Sequence, residues 1–111
     1  MYEYLNATDQ ENNMPQFICF LEPTRPDMPD DPTPEESQAI AAHFAYNQRL
    51  LARGSLVLAG RTQEPPHIGI MIFNAPTKDD ALSIVAQDPA VTAGVFNCKV
   101  QAYQIALSCE T

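Results

Sequence analysis

Two helix-start signals, separated by short apolar runs, constrain this chain more than any other feature. Thr33-Pro34-Glu35-Glu36 places a capping threonine before a proline, and Glu36 completes a capping box. Thr77-Lys78-Asp79-Asp80 repeats the pattern, with Asp80 in place of the usual glutamate. Gly54 is expected to stop the first helix, and Asp88-Pro89 to close the second. The signals therefore predict two helices.

Four apolar runs surround these helices and have the length of strands. They cover residues 17–21, 55–59, 67–73 and about 98–107, and Gly60-Arg61 is expected to follow the end of the second run. The predicted order is β-α-β-β-α-β without an internal repeat. This order favours an α+β fold: a ferredoxin-like sandwich with an antiparallel sheet, a class in which helices cover one face of the sheet.

The third run carries apolar residues on both faces. Ile68, Ile70 and Ile72 alternate with Gly69, Met71 and Phe73. Two helices can cover only one face of the sheet, so the other face requires a different cover. The simplest cover is a second copy of the chain, and we therefore predict a homodimer.

The first helix is predicted to bury one stripe and to expose the opposite face. At 100° per residue the buried stripe holds four residues, and two arginines point away from it. The predicted buried residues are Ile40, Phe44, Asn47 and Leu51, and the predicted exposed pair is Arg49 and Arg53.

Charge is distributed unevenly along the chain. The net charge is −8, and residues 1–36 hold nine acidic side chains and one basic side chain. The remaining residues hold five of each. Such acidity argues against nucleic acid and anionic membranes as partners. We expect a polar tail at 1–15, a single domain at 16–111 and, within it, a stiff acidic proline-rich loop at 22–32.

Cysteine usage and hydropathy bear on the compartment. Three cysteines form neither a disulfide framework nor a CxxC metal motif. The chain shows no secretory signal pattern and no apolar run of about 20 residues. We expect a soluble cytoplasmic protein that uses no cofactor and no metal.

His43 and Asp88 are the candidate catalytic residues. His43 lies at the margin of the predicted buried stripe, where an imidazole can be both partly dry and reachable. Asp88 is expected at the end of the second helix, aimed at the sheet. An Asp-His pair can move protons. The alternatives are a half-exposed histidine bonded to a carbonyl, and an aspartate that serves only in a turn.

Substrate contacts are predicted at Arg61, Asn47 and Gly60. Arg61 has the chemistry to hold a carboxylate, although an exposed strand-end arginine is the plainer interpretation. Asn47 offers hydrogen bonds or simple packing. His67 is interpreted as a residue of the sheet edge.

Two stretches resemble the YCII-related domain family: HFAYNQRLLARGSLVLAG at 43–60 and DPAVTAGVF at 88–96. The resemblance covers roughly Phe17 to Leu107. It implies a dimeric α+β barrel, and it implies that His43 and Asp88 form an active-site pair. It also implies a lyase or isomerase that moves a proton on a small organic acid. The alternative is a non-enzymatic dimer that binds a small ligand or a basic protein.

Overall fold

The computed structural model describes residues 14–109, so most of the predicted tail at 1–15 lies outside the described residues. The elements in chain order are β1 (Gln16–Pro23), α1 (Pro34–Ala52), β2 (Leu56–Arg61), β3 (Gly69–Asn74), α2 (Lys78–Ala86), α3 (Pro89–Thr92) and β4 (Phe96–Tyr103).

The four strands form one antiparallel sheet in the order β2-β3-β1-β4. The α+β, ferredoxin-like arrangement with an antiparallel sheet is thus confirmed. Phe17, Cys19 and Leu21 of β1 pair with Phe73, Met71 and Gly69 of β3, and these residues share the face that the helices cover. The main core lies there and also holds Leu50 of α1 with Ala81 and Val85 of α2.

The predicted strand limits shift where pairing extends or shortens them. β4 spans Phe96–Tyr103 rather than 98–107, because it pairs with β1 over residues 16–23. β2 continues through Gly60 to Arg61, which pairs with Gly69. Gly60 and Arg61 therefore belong to β2 and do not lie beyond its end.

A β-bulge interrupts the pairing of β2 with β3. Leu56 pairs with Phe73, but Leu58 pairs with Ile72, so one extra residue sits between the two pairs. Side chains alternate between faces along a strand, so this residue reverses the alternation. Ala59 and Arg61 consequently lie on the helix-covered face.

Helix α1 begins as predicted. Thr33 caps it, its hydroxyl accepts from the Glu36 amide at 3.1 Å, and the Glu36 carboxylate accepts from the Thr33 amide at 2.9 Å. The predicted buried stripe is wrong in part. Asn47 is buried as expected, but Phe44 is 64% exposed and Leu51 56% exposed. The helix meets the sheet through a stripe centred on Ala39, Asn47 and Leu50, and the space beside Phe44 is a cavity.

Helix α2 also begins as predicted, at its cap Thr77, but it ends at Ala86. A further helical turn, α3, follows, and Asp88 is its N-cap. Asp-Pro therefore follows the end of α2, as predicted, and also opens a new helix. No helix of the described residues is long and apolar enough to cross a bilayer.

Candidate functional site

The site is built around a buried, hydrogen-bonded pair of side chains between α1 and α3. His43 Nδ1 lies 2.6 Å from Asp88 Oδ2, and the side chains are 16% and 1% exposed. The other Asp88 oxygen accepts from the Ala90 amide at 2.9 Å. Asp88 follows the end of α2 as predicted, and its amide donates to the Val85 carbonyl, but the prediction lacked its second position as the N-cap of α3. As an N-cap, its carboxylate accepts from a free amide of the helix's positive end.

The hydrogen bonds define the tautomer of His43. An ionised carboxylate only accepts, so Nδ1 carries a proton and donates to Asp88. Asn47 Nδ2 lies 3.2 Å from His43 Nε2, which accepts from it. Asn47 Oδ1 is buried and has no hydrogen-bond partner. With Nδ1 as the donor to Asp88, the imidazole directs its other nitrogen toward Asn47 and away from the carboxylate.

A cavity of about 590 Å³ opens beside His43. This volume is within the range of small-molecule sites, about 300–1,000 Å³. The sheet forms one side of the cavity and α1 another. Its apolar lining is contributed chiefly by Leu21, Met28, Ile40, Phe44, Met71 and Phe96. The ring of Phe96 also meets the His43 ring edge to face, with 5.4 Å between centroids.

The loop between β1 and α1 supplies a third wall. Met28, Pro29 and Pro32 line the cavity, and Met28 is only 5% exposed, so the predicted acidic loop also carries an apolar anchor. Arg25 donates to Glu36 from both Nε and Nη2, at 3.0 and 2.6 Å. These bonds attach the loop to the first turn of α1. They also lower the pKa of the Glu36 carboxyl to about 2.

The predicted substrate contacts all line this cavity. Arg61 extends from the helix-covered face of β2, Gly60 contributes beside it, and Asn47 contributes from α1. His67 also lines the cavity, although the sequence indicated only a sheet-edge residue. In the predicted strand at 67–73, His67 alternates in step with Met71 and Phe73, which lie on the helix-covered face. This spacing is the signal that could have placed His67 toward the cavity.

Other reactive groups near the site are dry or bonded. The Tyr46 hydroxyl donates to the Ile84 carbonyl at 2.6 Å, and burial, with a smaller effect of the Asp88 charge, raises its pKa. Burial raises the pKa of the Cys19 thiol to about 12, which opposes thiolate formation. Within residues 14–109, no three His, Cys, Asp or Glu side chains are grouped to hold a metal.

Comparisons with known proteins identify the fold. The model of the YCII-related domain matches residues 16–102. The structure is similar to that of a 5-chloro-2-hydroxyhydroquinone dehydrochlorinase from Burkholderia phenoliruptrix AC1100, with a TM-score of 0.64 and 23% identity, covering 80% of this chain and 93% of that one. It is also similar to muconolactone isomerase, with a TM-score of 0.62 and 16% identity, covering 86% and 96%.

Both of these proteins have the ferredoxin-like fold of dimeric α+β barrels, which confirms the predicted fold class. No curated protein matches the sequence.

Proposed function

The chain belongs to the YCII-related domain family, and from that premise we propose that it is a cofactor-independent enzyme. In this proposal His43, oriented by Asp88, transfers a proton on a small organic acid in a lyase or isomerase reaction. The observation that carries the proposal is the buried 2.6 Å pair beside a cavity of small-molecule size. A family match and neighbouring enzyme structures support a small-molecule enzyme in general.

The proposed chemistry uses His43 Nε2 as the base. Asn47 donates to this nitrogen over a long 3.2 Å bond, which a substrate C–H or O–H group can replace. Nε2 takes the proton, and the Asp88 carboxylate balances the resulting imidazolium. The electron pair left on the substrate then expels a leaving group, as in a lyase, or moves a double bond, as in an isomerase. In the isomerase case, Nε2 returns the proton at another carbon.

Asn47 suits this cycle because its amide has one unused acceptor. When Nε2 is protonated, rotation of the amide by 180° presents Oδ1 to the new N–H. The unpaired oxygen of the resting site would thus gain a partner in the charged state. Asn47 would position His43 in both protonation states.

Hydrogen exchange in D2O tests the proposal without a known product. A panel of small acids and lactones is incubated with the protein, and loss of acidic C–H signals is followed by NMR. Muconolactone and chlorinated hydroxyhydroquinones start the panel, because the similar structures act on such compounds. We expect exchange with at least one compound and about 100-fold less with His43→Gln. Equal exchange by both proteins would refute the role of His43.

A non-enzymatic binding module is the second candidate. It is favoured by the resting imidazole, because protein side chains occupy both of its nitrogens. This candidate predicts that a ligand is retained without conversion. It also allows the exposed acidic side chains of the loop, Asp27, Asp30 and Asp31, to engage a basic protein in a salt-sensitive way.

The proposed functional unit is a homodimer in the cytoplasm. The sheet face away from the helices carries Ile18, Phe20 and Ile70, while Leu58 and Tyr103 on the same face are 48% and 42% exposed. Pairing two such faces removes apolar surface from water. Light scattering at micromolar concentration should give twice the monomer mass, and Leu58→Asp should lower it. A monomeric wild-type protein would refute the dimer.

A further inference from the structure

The cavity is lined by cationic and neutral side chains, whereas the protein as a whole is negatively charged. The chain carries a net charge of −8, yet no aspartate or glutamate among residues 14–109 lines the cavity. Of these described residues, Arg61 is the one permanently charged side chain in the lining, and His43 and His67 are its other titratable side chains. The acidic residues of the adjoining loop are exposed, whereas Met28 of that loop faces the core. The chain thus separates its negative charge from the interior of the cavity.

Arg61 and His67 occupy one end of this cavity. Arg61 pairs with Gly69 on the helix-covered side of the sheet, and His67, which lies in the link two residues before Gly69, lines the same cavity. Gly69 contributes no side chain here, and a Cβ at this position would lie 3.4 Å from Leu21 Cβ. Within residues 14–109 Arg61 forms no ion pair, so its guanidinium is available to a ligand.

The link between β2 and β3 holds His67 in position. Thr62 fixes this link: its amide donates to the Ile68 carbonyl at 2.9 Å, and its hydroxyl accepts from the Ile68 amide at 2.9 Å. His67 Nδ1 lies 3.4 Å from the Thr62 carbonyl, a long contact in which Nδ1 is the donor. His67 Nε2 has no protein partner among the described residues. A protonated His67 can therefore donate from Nε2 into the cavity.

We propose that Arg61 and His67 form a carboxylate-binding end of the cavity, selective for acids with a compact apolar or aromatic body. The apolar lining between this end and His43 receives the body of the ligand. A planar guanidinium binds a carboxylate through two parallel hydrogen bonds, and the absence of lining carboxylates removes the usual competitors. When its carboxylate is bound at this end of the cavity, the ligand presents to His43 either its opposite end or the carbon next to the carboxylate.

This inference deepens the proposed function, because it rests on the same cavity as the ligand site. It does not depend on chemistry at His43, however. The test therefore measures binding rather than turnover. Benzoate is the probe, and benzamide is its neutral counterpart of nearly equal shape. Acetate is a third probe, which has the charge of benzoate but lacks the ring.

Binding is followed by NMR of the histidine rings, since the chain has only two histidines. His67→Gln assigns their signals. We expect benzoate to shift the His67 signals and to bind about 10-fold more tightly than benzamide, as one charge-assisted contact predicts. Acetate should bind more weakly than benzoate. Arg61→Gln should abolish the preference for benzoate over benzamide, and Arg61→Lys should retain part of it.

Arg53→Gln is the matched control, because Arg53 is also an exposed arginine but does not line the cavity. It should leave the preference unchanged. An unchanged preference in Arg61→Gln, equal affinities in the wild type, or no benzoate binding at millimolar concentration would overturn the inference. His43→Gln should keep the preference for benzoate, because the binding test does not depend on proton transfer by His43. A failure of the proposed proton transfer is therefore distinguishable from a failure of the carboxylate-binding end.

Discussion

The energetic coupling between His43 and Asp88 can be measured with a double-mutant cycle. The variants are His43→Ala, Asp88→Ala and the combination of both. Each single variant removes the 2.6 Å hydrogen bond, but only the double variant removes both of its partners. Because the two side chains share a hydrogen bond in a largely dry site, the costs of the two single changes will not add.

The structure sets the expected magnitudes. Asp88→Ala removes a charge-assisted bond of about 2 kcal/mol and a helix cap of about 1 kcal/mol, a total of about 3 kcal/mol. His43→Ala leaves a carboxylate that is 1% exposed with only the Ala90 amide as partner, which costs about 3 kcal/mol. The double variant should lose about 4 rather than about 6 kcal/mol, since the shared bond of about 2 kcal/mol is removed only once.

The assay is urea unfolding at pH 7, with the free energy of unfolding extrapolated to water. The control cycle combines His43→Ala with Thr77→Ala. Thr77 caps the start of α2 and shares no bond with His43. The control cycle should be additive. If the His43–Asp88 cycle is also additive within about 0.5 kcal/mol, the pair contributes no coupling and the reasoning fails.

Two further predictions follow from shifted pKa values. Glu36 has a folded-state pKa of about 2, below its ordinary value of 4.5, so its contribution to stability is present above pH 4.5 and is lost as the pH falls toward 2. Glu36→Gln keeps the capping oxygen but removes the charge opposite Arg25. In urea unfolding, the variant should therefore lose less stability than the wild type when the pH falls from 5 to 2.5. Equal losses in the two proteins would contradict this prediction. Cys19 is fully buried with a pKa of about 12, whereas Cys98 and Cys109 are exposed. Iodoacetamide at pH 8 should therefore modify two thiols in the native protein and three in urea, as counted by mass spectrometry. Three additions to the native protein would be inconsistent with the buried position of Cys19.

The sequence predicted elements best where the signal is local. The N-cap signals at Thr33 and Thr77 involve residues within one turn, so they located both helix starts. The burial of α1 was harder to predict, because a helical wheel gives the angles between residues but not the face that meets the sheet. Phe44 was therefore assigned to the core, although it borders a cavity that only the tertiary structure creates.

The candidate site was predictable in part for a similar reason. His43 and Asp88 were selected as a pair, but their 45-residue separation could not establish the contact. The Asp-Pro sequence at 88–89 contains an N-cap signal like that of Thr33-Pro34, but the prediction used it only to end the second helix. His67 was missed because spacing along a strand does not show which side of the sheet the helices cover, and the cavity that His67 lines is formed only by the tertiary structure.

The β-bulge in β2 has a consequence for sequence change in this chain. Counting from Leu56 without the bulge, Leu58 and Gly60 would lie on the helix-covered face and Arg61 would lie on the other. Deletion of the single residue Val57 would remove the bulge but keep Ala59 and Arg61 opposite Met71 and Gly69, so Arg61 would stay on the helix-covered face. The extra residue is thus what directs Arg61 toward the cavity, and a variant that paired Val57 regularly with β3 would turn Arg61 away from the cavity without altering any residue that lines it.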